Sequence, residues 1–215
     1  MLAPDVERPE PARIRVVGEP RLAELWPDGT PDPSTEVNED GSVPNCVVWA
    51  VAEPAPAPTG SLPPVTMRFT DTGFAPHVLV ARIGQEVVFR HDAPSLVHSC
   101  VRLTPRRNTQ GLSPNPLTGG PRTWVPDRSE KDIRVETGCV AMLVHAHVWV
   151  LDHPHFDVTA EGGRFAIGDL PPGRHDLRVW HEHFADRGVE VLVEVRPGKT
   201  TEVDVQVGVE SSSPR

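Results

Sequence analysis

The chain has 215 residues, 25 of them proline, no tyrosine, and a formal net charge of −9. That length holds one large domain or two small ones. The acidic balance excludes the basic footprint of a nucleic-acid binder, and no run approaches the roughly 18 apolar residues of a membrane-spanning helix.

The charge is uneven. Residues 1–60 carry eleven acids against four arginines, which is −7 of the −9. Composition predicts that residues 1–40 form an acidic, Pro-rich and loosely ordered segment, with a short strand at ARIRVVGEP. The opening MLAPDVERPEP has no basic n-region and no apolar h-region, so no secretory signal is visible in it. On that ground the protein either stays inside or the sequence begins after a removed leader.

Residues 41–63 read as a turn, a buried strand over Cys46–Val51, and a Pro/Ala spacer, AEPAPAPTGSLPP. Strands are predicted at 66–70, 77–82, 86–91 and 96–103, separated by the IGQ and DAP turns. Residues 104–128 are expected to be a long Pro/Asn/Gly-rich loop, a length usually functional or mobile. EKDIRVE and VAMLVHAHVWVL resume the strand pattern. DVTAEGGRFAIGDLPPGRHDLRVW reads as strand, turn, strand, turn, strand. GVEVLVEVRPGKTTEVDVQVGV reads as two strands around a PGK turn, and the tail 210–215 is expected to be disordered. Short Val-rich runs between Gly/Pro/Asn/Asp turns, with few helix formers, give an all-β fold class.

FAPHVLVARIGQEVVFRHD followed by LVHSC resembles the front half of a cupredoxin domain. Phe74, Pro76, Gly84, Val87 and Phe89 fit that family's strands, and His98 sits at its first copper-ligand position. Ser99 and His91 stand where the family has asparagines. VWVLDHPHFDVTAEGGRFAIGDLPPGRHDLRVWHEH resembles the back half of the plastocyanin-like, methylamine-utilisation type of bacterial protein. Its G-x-F…L-P-P-G…L-x-V portion is similar to carboxypeptidase regulatory-like, transthyretin-like sandwiches. The resemblance covers about residues 41–207. It implies a cupredoxin-like Greek-key sandwich over 64–152, packed with a second small transthyretin-like β-sandwich over 153–209. VPNCVVWAV resembles the strand that precedes the cupredoxin in these relatives. Residues 41–53 are therefore a candidate strand of the second sandwich, with the cupredoxin inserted between. The relatives are exported, which implies an extracytoplasmic setting.

A blue-copper site needs two imidazoles, a thiolate and a weak axial ligand, usually methionine. The relatives supply the second set from Cys-x-x-His-Pro-x-Met. Counting back from Asp152-His153-Pro154 without a gap places those ligands on Gly138, Ala141 and Val144, leaving His98 alone. A one-residue gap places Cys139 at the cysteine and reads Cys139-x-x-Met142-x-x-His145, with methionine and histidine exchanged. Strand alternation favours the first reading. It puts Cys139, Ala141, Leu143, His145 and His147 on one face and Met142 on the other, and CVAMLV holds no residue that would bend it. The expectation is a degenerate site with no metal cofactor. The alternative is copper held by His98, Cys139, His145 and Met142, and a third reading builds a different metal site from His98, His145, His147 or Cys139. His153 is expected to be a turn residue with local hydrogen bonds. Trp180 is expected in the core, with His181 and His183 flanking a strand end.

The cysteines are Cys46, Cys100 and Cys139, an odd number that cannot form a complete disulfide framework. The resemblance places Cys100 and Cys139 beside the same pole of the cupredoxin, so it implies a candidate disulfide there, which requires an oxidising compartment. The sequence has no G-x-S-x-G elbow, phosphate loop or H-E-x-x-H. The function expected is therefore a non-enzymatic binding or structural module. Its partner would be a protein or redox partner the sequence does not name.

Overall fold

In the computed structural model, the residues described are 1–2, 8–14, 24, 26–55, 60–94, 100–117, 119–137, 144–187 and 189–208. They form an all-β protein. The strands are, first, β1 (Arg13–Ile14), β2 (Thr30–Pro31), β3 (Val47–Ala50), β4 (Val65–Thr70) and β5 (Gly73–Ala75). Next come β6 (Val78–Arg82), β7 (Val87–His91), β8 (Cys100–Leu103), β9 (Leu112–Pro116) and β10 (Arg122–Trp124). The last are β11 (Glu130–Glu136), β12 (His145–Leu151), β13 (Phe156–Val158), β14 (Gly173–Trp180) and β15 (Val189–Val195). The chain divides into two compact units, one built from residues 12–32 and 55–152, the other from 1–11, 33–54 and 153–215.

The first unit is a β-sandwich. One sheet has the order β10-β7-β4-β5 and the other β6-β12-β11-β8-β9. β4 runs parallel to β7 and β6 parallel to β12, while the remaining neighbours are antiparallel. Period-two alternation explains which side chains meet between the sheets. In β4, Met67 and Phe69 are buried while Thr66 and Arg68 are exposed. Phe74, Val87, Phe89 and Trp124 join them from one sheet. Leu79, Ala81, Val101, Leu103, Ile133, Val135, Ala146, Val148 and Val150 come from the other, in one continuous core. Val144 also packs into this core.

The segment 104–128 differs from its expectation as a loop. It contains β9, which pairs with β8, and β10, which pairs with β7. Both are outermost strands of their sheets, the position where proline is tolerated because one side of the ladder needs no donor. The segment is also tied down by side chains. Trp124 Nε1–H donates to the Gln110 carbonyl at 2.8 Å, and Asn108 Oδ1 accepts from the amides of Asp127 and Arg128. Asp127 accepts from the hydroxyl and amide of Thr109.

The second unit contains an antiparallel sheet of order β13-β3-β14-β15. β3 is internal to this sheet, with Val48 opposite Asp157 on one side and Val179 on the other. All four of its side chains are buried. Its core gathers Val43, Cys46, Val48, Val179, Phe184, Val205 and Val207, with Phe165, Ile167 and Val203 packed alongside. Residues 164–172 and 199–206 carry no strand ladder, contrary to the strands expected there. Val203, Val205 and Val207 nevertheless turn alternate side chains inward. The apolar alternation therefore records a buried face without a hydrogen-bonded neighbour.

Part of the acidic N-terminal segment is ordered, in contrast to its composition. β1 pairs with β2 in the first unit. In the second unit the Met1 amine donates to the Val205 carbonyl at 2.6 Å, and Leu2 bridges Val207. Trp180 is half-buried and lies outside that unit's core cluster, whereas His181 is 2 % exposed. His181 and His183 both contact the Phe184 ring, at centroid distances of 5.3 and 5.0 Å. The tail 210–215 lies outside the described residues.

Candidate metal centre

β12 carries different side chains on its two faces. Ala146, Val148 and Val150 enter the sandwich core, so alternation sends His145 and His147 to the opposite face of the sheet. The parallel pairing of β6 with β12 sets His147 opposite Val78. His77, the residue before β6, accepts a hydrogen bond at its carbonyl from the His147 amide at 2.9 Å. Parallel register therefore brings a third imidazole beside the two on β12.

The three rings are mutually close. Centroids lie 5.6 Å apart for His77–His145, 5.6 Å for His77–His147 and 5.4 Å for His145–His147. Each pair is edge-on, at 67°, 74° and 88°. One ligand nitrogen from each lies within 4.8 Å of the others. An imidazole lone pair lies in the ring plane, so edge-on rings can aim their nitrogens at one point. His153 and His155 are a useful contrast: they stack at 21° with centroids 6.1 Å apart, which leaves their lone pairs in near-parallel planes. His153 accepts the His155 amide at Nδ1, a local turn bond.

His147 is also oriented from behind. Its Nδ1 lies 2.6 Å from Asp132 Oδ1. Asp132 occupies the β-bulge between Glu130 and Ile133, with φ of 58°. A bulge re-aims a side chain out of normal alternation, and Asp tolerates the left-handed conformation better than most residues. Glu130 fixes the start of the same strand. Its carboxylate accepts the amides of Arg106, Arg107 and Asn108 and the Asn108 side chain. Burial alone would raise its pKa, but these donors together outweigh that and hold it below the usual carboxylate range. Arg134, opposite His147 in the ladder, is paired with Glu136 at 3.0 Å.

Of the ligands expected from the sequence, His98, Cys139 and Met142 lie outside the described residues. His145 is described, and its imidazole neighbours are His77 and His147. His77 was missed because the reading of FAPHVLV used only its phenylalanine and proline; its partners become visible only once β6 is paired with β12.

The described cysteines behave differently. Cys100 is disulfide-bonded. Cys46 is a free thiol in the core of the second unit, and burial pushes its pKa up to about 11.

Fold and site together define an all-β protein with a two-sheet sandwich and a three-histidine cluster on one of its sheets. No family model matches the chain, and no curated protein matches it. Among solved structures it is similar to a copper-containing nitrite reductase from Thermus scotoductus SA-01, at 14 % identity and a TM-score of 0.37. The match covers 47 % of this chain and 26 % of the other, about a quarter of that protein's length. A likeness this distant assigns neither ligands nor a reaction. Among the described residues, no helix is long and apolar enough to cross a membrane.

Proposed function

We propose that the chain is a non-enzymatic, cupredoxin-like binding or structural protein in which the blue-copper site is degenerate. The observation that carries this reading is the disulfide at Cys100. The chain has three cysteines and Cys46 is free, so this reading pairs Cys100 with Cys139, the pairing that the cupredoxin resemblance implies. Blue-copper chemistry needs a cysteine thiolate, and a disulfide sulfur is not one. The donor set then does not fit that copper centre, whatever His98 and Met142 do. A covalent clip takes the place of a metal clip and adds stability of about 2–4 kcal/mol.

The same bond supports an extracytoplasmic setting, where disulfides persist. The DHP and LPPG…LRVWHE motifs support kinship with the plastocyanin-like, methylamine-utilisation type of protein and its carboxypeptidase regulatory-like partner domain. A protein or redox partner remains the binding class that this reading favours.

Two measurements test it. Thiol titration in denaturant should find one thiol without reductant and three with it. Copper(II) added to the unreduced protein should give no intense blue thiolate-to-copper absorption. A stoichiometric blue band that disappears in Cys139→Ser would overturn the reading in favour of copper held by His98, Cys139, His145 and Met142.

A further inference from the structure

We propose that His77, His145 and His147 form a mononuclear site for a borderline first-row divalent ion, in the zinc(II)–copper(II) range, on the face of β12 turned away from the sandwich core. This goes beyond the reading above and does not depend on it, since it uses no thiolate.

Four observations converge on the site. First, the three donors assigned here are neutral-capable imidazoles, which suit zinc, copper and nickel, whereas magnesium and calcium select carboxylate and carbonyl oxygens. Second, the geometry is close to ligation. A tetrahedral ion with Zn–N near 2.0–2.1 Å holds its ligand nitrogens roughly 3.3 Å apart. The three nitrogens lie within 4.8 Å of one another, so ring tilts that close the spread by about 1.5 Å at most would complete the set. Third, the scaffold is rigid. Two ligands are i and i+2 on a strand hydrogen-bonded on both sides, and the third is tied by its own carbonyl to the His147 amide. Fourth, the Asp132 carboxylate engages His147 at Nδ1. A ligating histidine usually gives its other ring N–H to a carboxylate, which fixes the tautomer and raises ligand basicity. The bonded Nδ1 assigns Nε2 of His147 to the ion. Asp132 is then a positioning residue rather than a ligand. His77 and His147 are 6 % and 5 % exposed.

The experiment uses the purified full chain, stripped with chelator, and zinc(II) titrated in competition with a chromophoric chelator. Expected are one ion per chain, a rise in Tm with zinc(II), and no rise with magnesium(II). Affinity should fall at least a hundredfold in His77→Ala, His145→Ala and His147→Ala, and about 10–100-fold in Asp132→Asn. His175→Ala removes a half-buried histidine, remote from the cluster in sequence, whose Nε2 bonds the Pro171 carbonyl, and should leave affinity unchanged. A measurement on the unaltered protein guards against variants that fail to fold. Stoichiometric copper(II) should give a paramagnetic resonance spectrum with three imidazole nitrogens and no sulfur. Zinc binding that survives all three folded alanine variants, absence of 1:1 binding, or an oxygen-dominated copper(II) spectrum would each overturn the assignment.

Discussion

The two units solve the same packing problem differently. In the first, both sides of the core are hydrogen-bonded sheets, and residues from each interdigitate between them. In the second, one side is the β13-β3-β14-β15 sheet, while Phe165, Ile167, Val203, Val205 and Val207 cover it from segments that make no ladder apart from the single bridge at Val207. Both units are written in the same Val-rich alternation. What differs is whether a neighbouring strand is present to take the backbone hydrogen bonds. A ladder holds side chains in fixed register on both flanks, whereas a covering segment can shift when something beneath it changes.

The largest effect that tests this contrast is at Phe89, fully buried between the two sheets. Phe89→Ala should cost about 3–5 kcal/mol in urea denaturation, because neither sheet can move inward to refill the space. A loss under about 1 kcal/mol would mean that the sandwich core is far more plastic than its ladders imply.

A matched deletion sharpens the comparison. Val148→Ala in β12 and Val205→Ala in the covering segment remove the same atoms from buried sites. The transfer cost is similar for both, about 1.5 kcal/mol at roughly 0.8 kcal/mol per methylene. The cavity cost should differ, since it depends on how well the site collapses. Val148→Ala should therefore be the more damaging by about 1 kcal/mol. Equal losses would show the ladder-free cover to be as rigid as a sheet.

The same contrast explains what the sequence made legible. Alternation in VTMRFT, VVFRH and EKDIRVE marks core-facing residues directly, so the all-β class could be read. Alternation in TTEVDVQV marks a buried face equally well but carries no information on pairing, so a strand was expected where none forms. Segment 104–128 failed in the opposite direction. Its prolines and glycines read as loop, yet outermost positions tolerate proline, and the Asn108, Asp127 and Glu130 hydrogen bonds are long-range facts. The metal cluster was half legible. His145 and His147 show their shared face at i and i+2, but His77 lies some 70 positions earlier in the chain and joins them only through the parallel β6–β12 register. Asp132 is hidden for another reason: it depends on a bulge, and a bulge breaks the very periodicity from which faces are read.

The smallest expected effect concerns the second unit and its buried thiol. Cys46 has its pKa raised by burial from an ordinary 9.0 to about 11, an effect partly offset by Thr159. The folded state thus favours the neutral thiol more than the unfolded state does. The stabilisation is fully present below pH 9 and is lost as pH rises through 11, because the unfolded chain releases the proton first. At pH 10 the loss relative to pH 8 should be on the order of 1 kcal/mol. The chain has no tyrosine to titrate in this window, and subtracting the same pH series for Cys46→Ala removes the remaining background. A difference that is flat between pH 8 and pH 10 would mean that water already reaches the sulfur. The cover over this core would then open readily enough to solvate a thiolate, a degree of freedom that the two-ladder unit should not share.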